Sequence, residues 1–199
     1  RRAEWQFLPE PAAHEVRVGV MGLGVMGQAS IAGLKAIGYR INGWSRMPRE
    51  ITGVRCFHGQ DGLAPFLAET DILACLLPLT PDTRGILDRR LIQGLSKTGR
   101  HPRLTGPSLI NAGRGGLQVE ADILAALDAG ELYAASLDVF NEEPLPASSP
   151  FWPHPRVVIT PHNAAESTPE SIVRYMFRQI ACRQAGKPLE NLVDRGRGY

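Results

Sequence analysis

Residues 17–27 read Arg-Val-Gly-Val-Met-Gly-Leu-Gly-Val-Met-Gly, or RVGVMGLGVMG. A short apolar run closes on glycine, and Met26, Ala29, Ile31, Leu34 and Ile37 then recur at helical spacing, so the segment reads as a strand, a tight turn and a helix. Gly22, Gly24 and Gly27 stand where such a unit needs glycine to bind a dinucleotide. One makes the turn, one lets a pyrophosphate approach the backbone, and one lets the helix pack closely on the strand. The amino end of the helix supplies N–H groups and partial positive charge for the phosphates. The whole turn, Gly22, Leu23, Gly24, Val25, Met26 and Gly27, is therefore the first candidate cofactor site. The methionine side chains, Met21 and Met26, read as packing of the first strand and helix.

Outward from this unit the alternation continues. Strands are expected at 40–44, 54–57, 71–78, 109–112, 134–139 and 157–160. Helices are expected at 61–68, 81–87, around Val119 to Leu127 and at 168–185. Strands separated by helix-length segments imply right-handed crossovers and a mainly parallel sheet covered on both faces, a doubly wound α/β fold of the Rossmann type. Residues 96–107, SKTGRHPRLTGP, interrupt the alternation as a polar surface loop. Residues 1–16, with Trp5, Phe7 and Leu8 among prolines and charges, read as a linker. Residues 17–165 are expected to form the nucleotide domain, and 166–199 a C-terminal helix and tail that return toward a second, largely missing domain to which both terminal segments belong. On that last helix Ile172, Val173, Met176 and Ile180 share a face, with Arg174, Arg178 and Arg183 elsewhere.

The remaining composition narrows the function classes. In 199 residues, 22 Lys and Arg stand against 20 Asp and Glu without a basic stripe, so neither nucleic acid nor an anionic membrane is expected as a partner. Three scattered cysteines, Cys56, Cys75 and Cys182, form no CxxC pair, which points to a reduced compartment and no metal site. No apolar run approaches the ~18 residues of a membrane span, and the opening lacks a signal-peptide core. The expectation is a soluble cytoplasmic protein.

An NAD site would place a carboxylate at the end of the second strand, for the ribose 2′-OH. Here that position reads Gly43-Trp44-Ser45-Arg46. A hydroxyl and a guanidinium suit a 2′-phosphate, so NADPH is expected over NADH, with Trp44, Ser45 and Arg46 as candidate contacts. Three further strand ends each deliver a reactive side chain: Arg114 in Asn111-Ala112-Gly113-Arg114-Gly115, Glu143 in SLDVFNEEPLP, and His162 in ITPHNAAES. An arginine fork can bind a carboxylate and polarise an adjacent ketone, an imidazole carries protons near neutral pH, and a neighbouring carboxylate orients the ring. That is the inventory of a carbonyl reduction. The other histidines, His14, His58, His101 and His154, fall in linker or loop contexts. The Trp152 region could approach substrate or cap the sheet edge, and packing is the favoured reading.

GLGVMG, LLPLTPDTRGIL, INAGRGG, SLDVFNEEPLP and ITPHNAAES, in this order, resemble the nucleotide-binding half of the D-2-hydroxyacid dehydrogenases. WSR after the second strand, SPFWPHPRVVITPH and the ending VDRGRGY are most similar to their glyoxylate/hydroxypyruvate reductase branch. The resemblance implies NADPH-dependent reduction of a small 2-oxo acid, with Arg114 on substrate, His162 as proton donor and Glu143 as its acidic partner. It implies that Asp138 and the Ala112 backbone hold the nicotinamide carboxamide, that Leu77 and Pro78 line the adenosine pocket, and that Thr83 lies near the phosphates. Gly113, His162 and Ala164 complete the candidate cofactor contacts, and a homodimer is implied by family habit. In that family a substrate domain begins ahead of the nucleotide domain. This chain is expected to lack most of it, and so to bind NADPH yet reduce substrate poorly. Residues 97–105 are expected to lengthen a surface loop only. Two other readings stay open. GLGVMG also opens the β-hydroxyacid dehydrogenases, whose catalytic lysine on a following helical domain has no counterpart here, and the same fold could serve as a non-catalytic NADP(H)-binding regulatory module.

Overall fold

The structure, a computed structural model, describes residues 9–196. Its strands are β1 (Arg17–Met21), β2 (Arg40–Ser45), β3 (Arg55–His58), β4 (Ile72–Cys75), β5 (Ser108–Asn111), β6 (Ala134–Leu137) and β7 (Val157–Ile159). Its α-helices are α1 (Val25–Ile37), α2 (Gly59–Ala68), α3 (Arg89–Gly94), α4 (Glu120–Asp128) and α5 (Pro169–Gln184). The chain divides into two compact units between Pro161 and His162. Trp5, Phe7 and Leu8, read above as linker, lie outside the described residues.

All seven strands of the first unit form one parallel sheet in the order β3-β2-β1-β4-β5-β6-β7. The chain moves outward from β1 to β3, then crosses back to β4 on the other side of β1. The order therefore reverses between β1 and β4, where open α/β sheets leave a ligand crevice at the carboxyl edge. Backbone rungs continue past the strands at that edge, from the Gly22 N–H to the Trp44 carbonyl at 2.9 Å and from the Leu76 N–H to the Met21 carbonyl at 2.8 Å.

Two apolar clusters flank the sheet. On one face Val18, Val20, Leu23, Ile31 and Ile41 pack under α1. On the other, Leu73, Leu109 and Leu137 meet Phe66, Leu91, Ile92, Ile123 and Leu127 from α2, α3 and α4. Each such leucine, taken fully out of water, contributes about 2 kcal/mol. The expected covering of both faces is incomplete. Ala74, Ile110, Ser136 and Val158 sit side by side in register on the α1 face, and Ile110 and Val158 are 37% and 60% exposed. One helix covers the β1–β2 half of that face and leaves this row open.

A second expectation is corrected at residues 81–87, which form turns rather than a helix, while the helix lies one step later as α3. The Thr83 and Arg84 N–H groups donate to the Thr80 carbonyl at 3.1 and 3.0 Å, Gly85 takes φ +67°, and the Gly85 and Leu87 N–H groups donate to the Gly116 and Leu117 carbonyls at 2.9 and 2.8 Å, so the turns stop short of a helix and their end is tied to 116–117. Asp88 then caps α3, its carboxylate accepting from the Leu91 N–H at 2.8 Å.

The loop at 96–107 is tied to the amino edge of the sheet, opposite the crevice. Asp71, 1% exposed, accepts from the Arg17 Nε at 3.0 Å, the Arg17 Nη2 at 2.7 Å and the Ser96 hydroxyl at 2.7 Å, and Arg17 also reaches the Thr98 carbonyl at 3.1 Å. Burial alone would raise the Asp71 pKa, but the hydrogen bonds from Arg17 and Ser96 outweigh it and hold the carboxyl below its ordinary value. A carboxyl depressed in the folded state adds stability above its unfolded pKa of about 3.9, and that stability is lost as pH falls through the folded value. Asp71→Ala should cost about 3 kcal/mol in denaturant unfolding at pH 7, because it strands a largely buried guanidinium. The deficit should narrow on acidification; a constant deficit down to pH 2 would contradict this account.

The second unit contains α5, capped by Thr168, whose hydroxyl accepts from the Ser171 N–H at 3.3 Å. Its following tail folds back along it, with Arg178 paired to Glu190 at 3.0 Å and the Tyr175 hydroxyl donating to the Glu190 carbonyl at 3.1 Å. The apolar face expected on this helix is present and uncovered: Ile172, Val173, Met176 and Ile180 are all about half exposed. No described helix is long and apolar enough to cross a membrane.

Candidate cofactor and active site

The three glycines after β1 separate cleanly by what surrounds them. Gly22 has φ +111°, and a Cβ there would lie 2.7 Å from the Leu76 carbonyl oxygen. A Cβ at Gly27 would lie 1.9 Å from the Gly22 carbonyl oxygen, so this residue lets α1 sit on the turn. Gly24 differs: its backbone (φ −76°, ψ −163°) suits any residue, and a Cβ there meets nothing within 4 Å. The protein has no internal reason for glycine at 24, and the open space lies at the amino end of α1, whose first turn carries no acidic residue. A phosphate group fits such a cradle: unpaired helix N–H groups face it and nothing repels it.

The neighbouring strand end departs in part from expectation. Trp44 is 7% exposed and its indole N–H donates to the Gly59 carbonyl at 3.0 Å, so its side chain is core. Ser45 donates from its hydroxyl to the Met47 carbonyl at 2.8 Å. Arg46 reaches Asp82 at 3.4 Å, with both side chains solvent-accessible. Leu77 is buried beyond β4, and Pro78 follows it. Thr83 turns its hydroxyl inward, to the Pro78 carbonyl at 2.7 Å and the Thr80 N–H at 2.8 Å, where it shapes the loop. Met21 is fully buried as expected, but Met26 is 48% exposed at the mouth of the crevice.

At the ends of β5 and β6 two loops meet through their backbones. A Cβ on Gly115 would lie 1.8 Å from the Phe140 carbonyl oxygen, so only glycine admits this contact between the Arg114 loop and the Glu143 loop. The Phe140 N–H donates to Glu143 Oε1 at 2.8 Å. A buried amide pair joins the loops from below. Asn111 Nδ2 donates to Gln118 Oε1 at 2.9 Å, and Gln118 Nε2 donates to the Val139 carbonyl at 3.0 Å. Asn111 Oδ1 accepts from the Gly113 N–H at 3.1 Å. Arg114 is exposed beside Ala112 and Gly113, its Nη1 donating to the Gly113 carbonyl at 2.7 Å. Asp138 is 5% exposed and accepts from the Thr160 hydroxyl at 2.5 Å. The first unit thus brings Arg114, Asp138 and Glu143 to one edge.

His162 opens the second unit, three residues beyond β7 in the chain and followed closely by Ala164. Its φ of 53° lies in the left-handed region. Among the other ionisable groups, the Cys75 thiol is pushed up to about 12 by complete burial, which leaves it unreactive at neutral pH. His154 accepts from the Arg156 N–H through Nδ1 at 3.2 Å, a loop contact as expected. Trp152 is half exposed, with its indole N–H on the Pro146 carbonyl at 2.9 Å; Phe151 is the residue that fills the core there.

The model of the NAD binding domain of the D-isomer specific 2-hydroxyacid dehydrogenases matches residues 1–164. The chain belongs to that family. Solved structures agree with the dehydrogenase fold throughout. The probable 2-hydroxyacid dehydrogenase of Rhizobium etli CFN 42, in complex with NADP, HEPES and L(+)-tartaric acid, is 48% identical with a TM-score of 0.93, over 100% of this chain and 61% of its own. An NADPH-dependent glyoxylate/hydroxypyruvate reductase from Sinorhizobium meliloti, in complex with NADP and sulfate, is 50% identical with a TM-score of 0.92, over 98% of this chain and 61% of its own. A family member from Xanthobacter autotrophicus Py2, in complex with NADPH and MES, is 40% identical with a TM-score of 0.89, over 98% of this chain and 77% of its own. The present chain therefore spans about three fifths of the length of the first two. The branch read from the sequence is the one for which the Sinorhizobium meliloti neighbour is named.

Sequence reasoning did not single out Gln118 or Asp82. Gln118 offers no local signal, because its role depends on two strands distant in sequence. Asp82 was visible only as part of LLPLTPDTRGIL, and its pairing with Arg46 is tertiary.

Proposed function

We propose that this chain is the NADP(H)-binding part of a reductase that converts a small 2-oxo acid, glyoxylate or hydroxypyruvate, to the 2-hydroxy acid. The observation that carries the cofactor reading is Gly24, a glycine that the fold does not need and a pyrophosphate does. Gly22 to Gly27 would hold the pyrophosphate, with Leu77 and Pro78 along the adenosine. Arg46, with Ser45, would take a 2′-phosphate at a strand end that offers no carboxylate. Ala112, Gly113 and Asp138 would hold the carboxamide end, with His162 and Ala164 as further contacts; Trp44 acts from below as support. When bound, the reduced nicotinamide supplies the hydride for the carbonyl carbon. Arg114 would grip the substrate carboxylate and polarise the ketone, His162 would deliver the proton to the oxygen, and Glu143 would orient the imidazole.

The relatives' NADP and NADPH complexes support the cofactor choice, and their greater length supports a substrate domain beyond this chain. Without that domain the cleft cannot close over substrate, so the isolated chain binds NADPH and turns over poorly. The uncovered row at Ile110 and Val158 and the apolar face of α5 favour additional protein surface against them, and the reading includes a cytoplasmic homodimer.

Calorimetric titration of the chain with NADPH and NADH tests the reading. NADPH should bind at least about tenfold tighter, the worth of a charge-assisted contact, and Arg46→Ala should erase most of that margin. Equal affinities in the unmodified chain would remove the 2′-phosphate assignment.

A further inference from the structure

Arg46, proposed above to take the 2′-phosphate, already has an acidic partner in the free protein. Arg46 follows β2 and Asp82 lies in the loop that follows β4. In the strand order β2-β1-β4 these elements flank the end of β1 on opposite sides. The Arg46 Nη1 to Asp82 Oδ2 contact, at 3.4 Å, therefore bridges the crevice above the Gly22–Gly24 turn. Arg46 is 43% exposed at its side chain and Asp82 is 76% exposed, so the pair is solvated and cheap to open.

We propose that Asp82 is a specificity-determining residue for the dinucleotide: its carboxylate occupies Arg46 in the free protein and competes with the cofactor's 2′-phosphate for it. The inference rests on the 2′-phosphate reading. A phosphate monoester carries nearly two charges and three acceptor oxygens, so it displaces a single carboxylate from a guanidinium. The displaced Asp82 remains beside the phosphate, and the like charges repel each other. Asp82 thus tempers NADPH affinity without touching NADH, which makes no demand on Arg46.

The test is a fluorescence titration of the chain with NADPH and with NADH, at low ionic strength and at about 0.5 M salt, for Asp82→Asn, Arg46→Ala and the double variant, with thermal midpoints as a folding control. Asp82→Asn should tighten NADPH about threefold at low salt and leave NADH unchanged. The gain should shrink at high salt, where exposed charges are screened, and should vanish when Arg46 is already alanine. An Asp82→Asn protein whose NADPH affinity is unchanged or weaker, or whose NADPH and NADH affinities move together, overturns the proposal. If Arg46→Ala alone lowers NADPH affinity while Asp82→Asn does nothing, only the competition fails. If Arg46→Ala leaves the NADPH-to-NADH ratio intact, the 2′-phosphate reading fails with it.

Discussion

His162→Gln, made in protein that carries a substrate domain, should lower the rate of glyoxylate reduction by a hundredfold to about ten-thousandfold while NADPH binding weakens by less than about tenfold, the loss of one contact among many. The two halves of that expectation have separate origins. Glutamine can still hydrogen bond to a ketone oxygen but has no proton to release near neutral pH, so the step that quenches the new alkoxide loses its donor. The pyrophosphate cradle after β1 and the Arg46 strand end lie in the first unit and do not include residue 162. The backbone supplies a control. His162 sits at φ 53°, where asparagine is tolerated better than glutamine, so His162→Asn should show the same kinetic loss with less strain. Stopped-flow or steady-state assays with saturating NADPH would measure both variants. Turnover equal to the unmodified protein would remove His162 from the chemistry. Unmodified protein that carries a substrate domain, binds NADPH tightly and does not turn over would favour the regulatory-module reading instead.

The parts of this molecule that were legible in the sequence are those whose cause is local. The turn at Gly22 to Gly27 needs glycine within six residues of itself, so its pattern sits on the surface of the text. The apolar runs at β1 and β4 likewise report their own burial. The segment at 81–87 misled because its composition tolerates a helix, while the interaction that ends its turns comes from Gly116 and Leu117, some thirty residues away. Trp44 was read for its place at the end of β2, yet its indole N–H is committed to Gly59, a contact with no sequence signature. The open row at Ile110 and Val158 looks, in sequence, like any buried strand, because an apolar residue does not say which face is covered. For the site, strand ends gave the expected places of Arg114 and Glu143, while Asp138 came from the family resemblance alone. The Asn111–Gln118 amide pair that fixes the separation of their loops could only be seen with the strands side by side.

If the space above Gly24 is kept open for a cofactor pyrophosphate, one substitution separates that cause from every folding cause. Aspartate is at least as good as glycine at a helix N-cap, and a carboxylate near the amino end of α1 interacts favourably with the helix dipole. The Gly24 backbone is already in a region that aspartate adopts freely, and its Cβ would meet no atom. Gly24→Asp should therefore unfold at the same temperature as the unmodified chain or slightly above it. The same side chain would place bulk and negative charge where the pyrophosphate must lie, and NADPH affinity should fall by about a hundredfold or more. The measurement is a paired one on the 199-residue chain, a thermal melt and an NADPH titration of Gly24→Asp beside the unmodified protein. Unchanged stability with lost binding is the predicted result; unchanged stability with unmodified NADPH affinity would contradict the account.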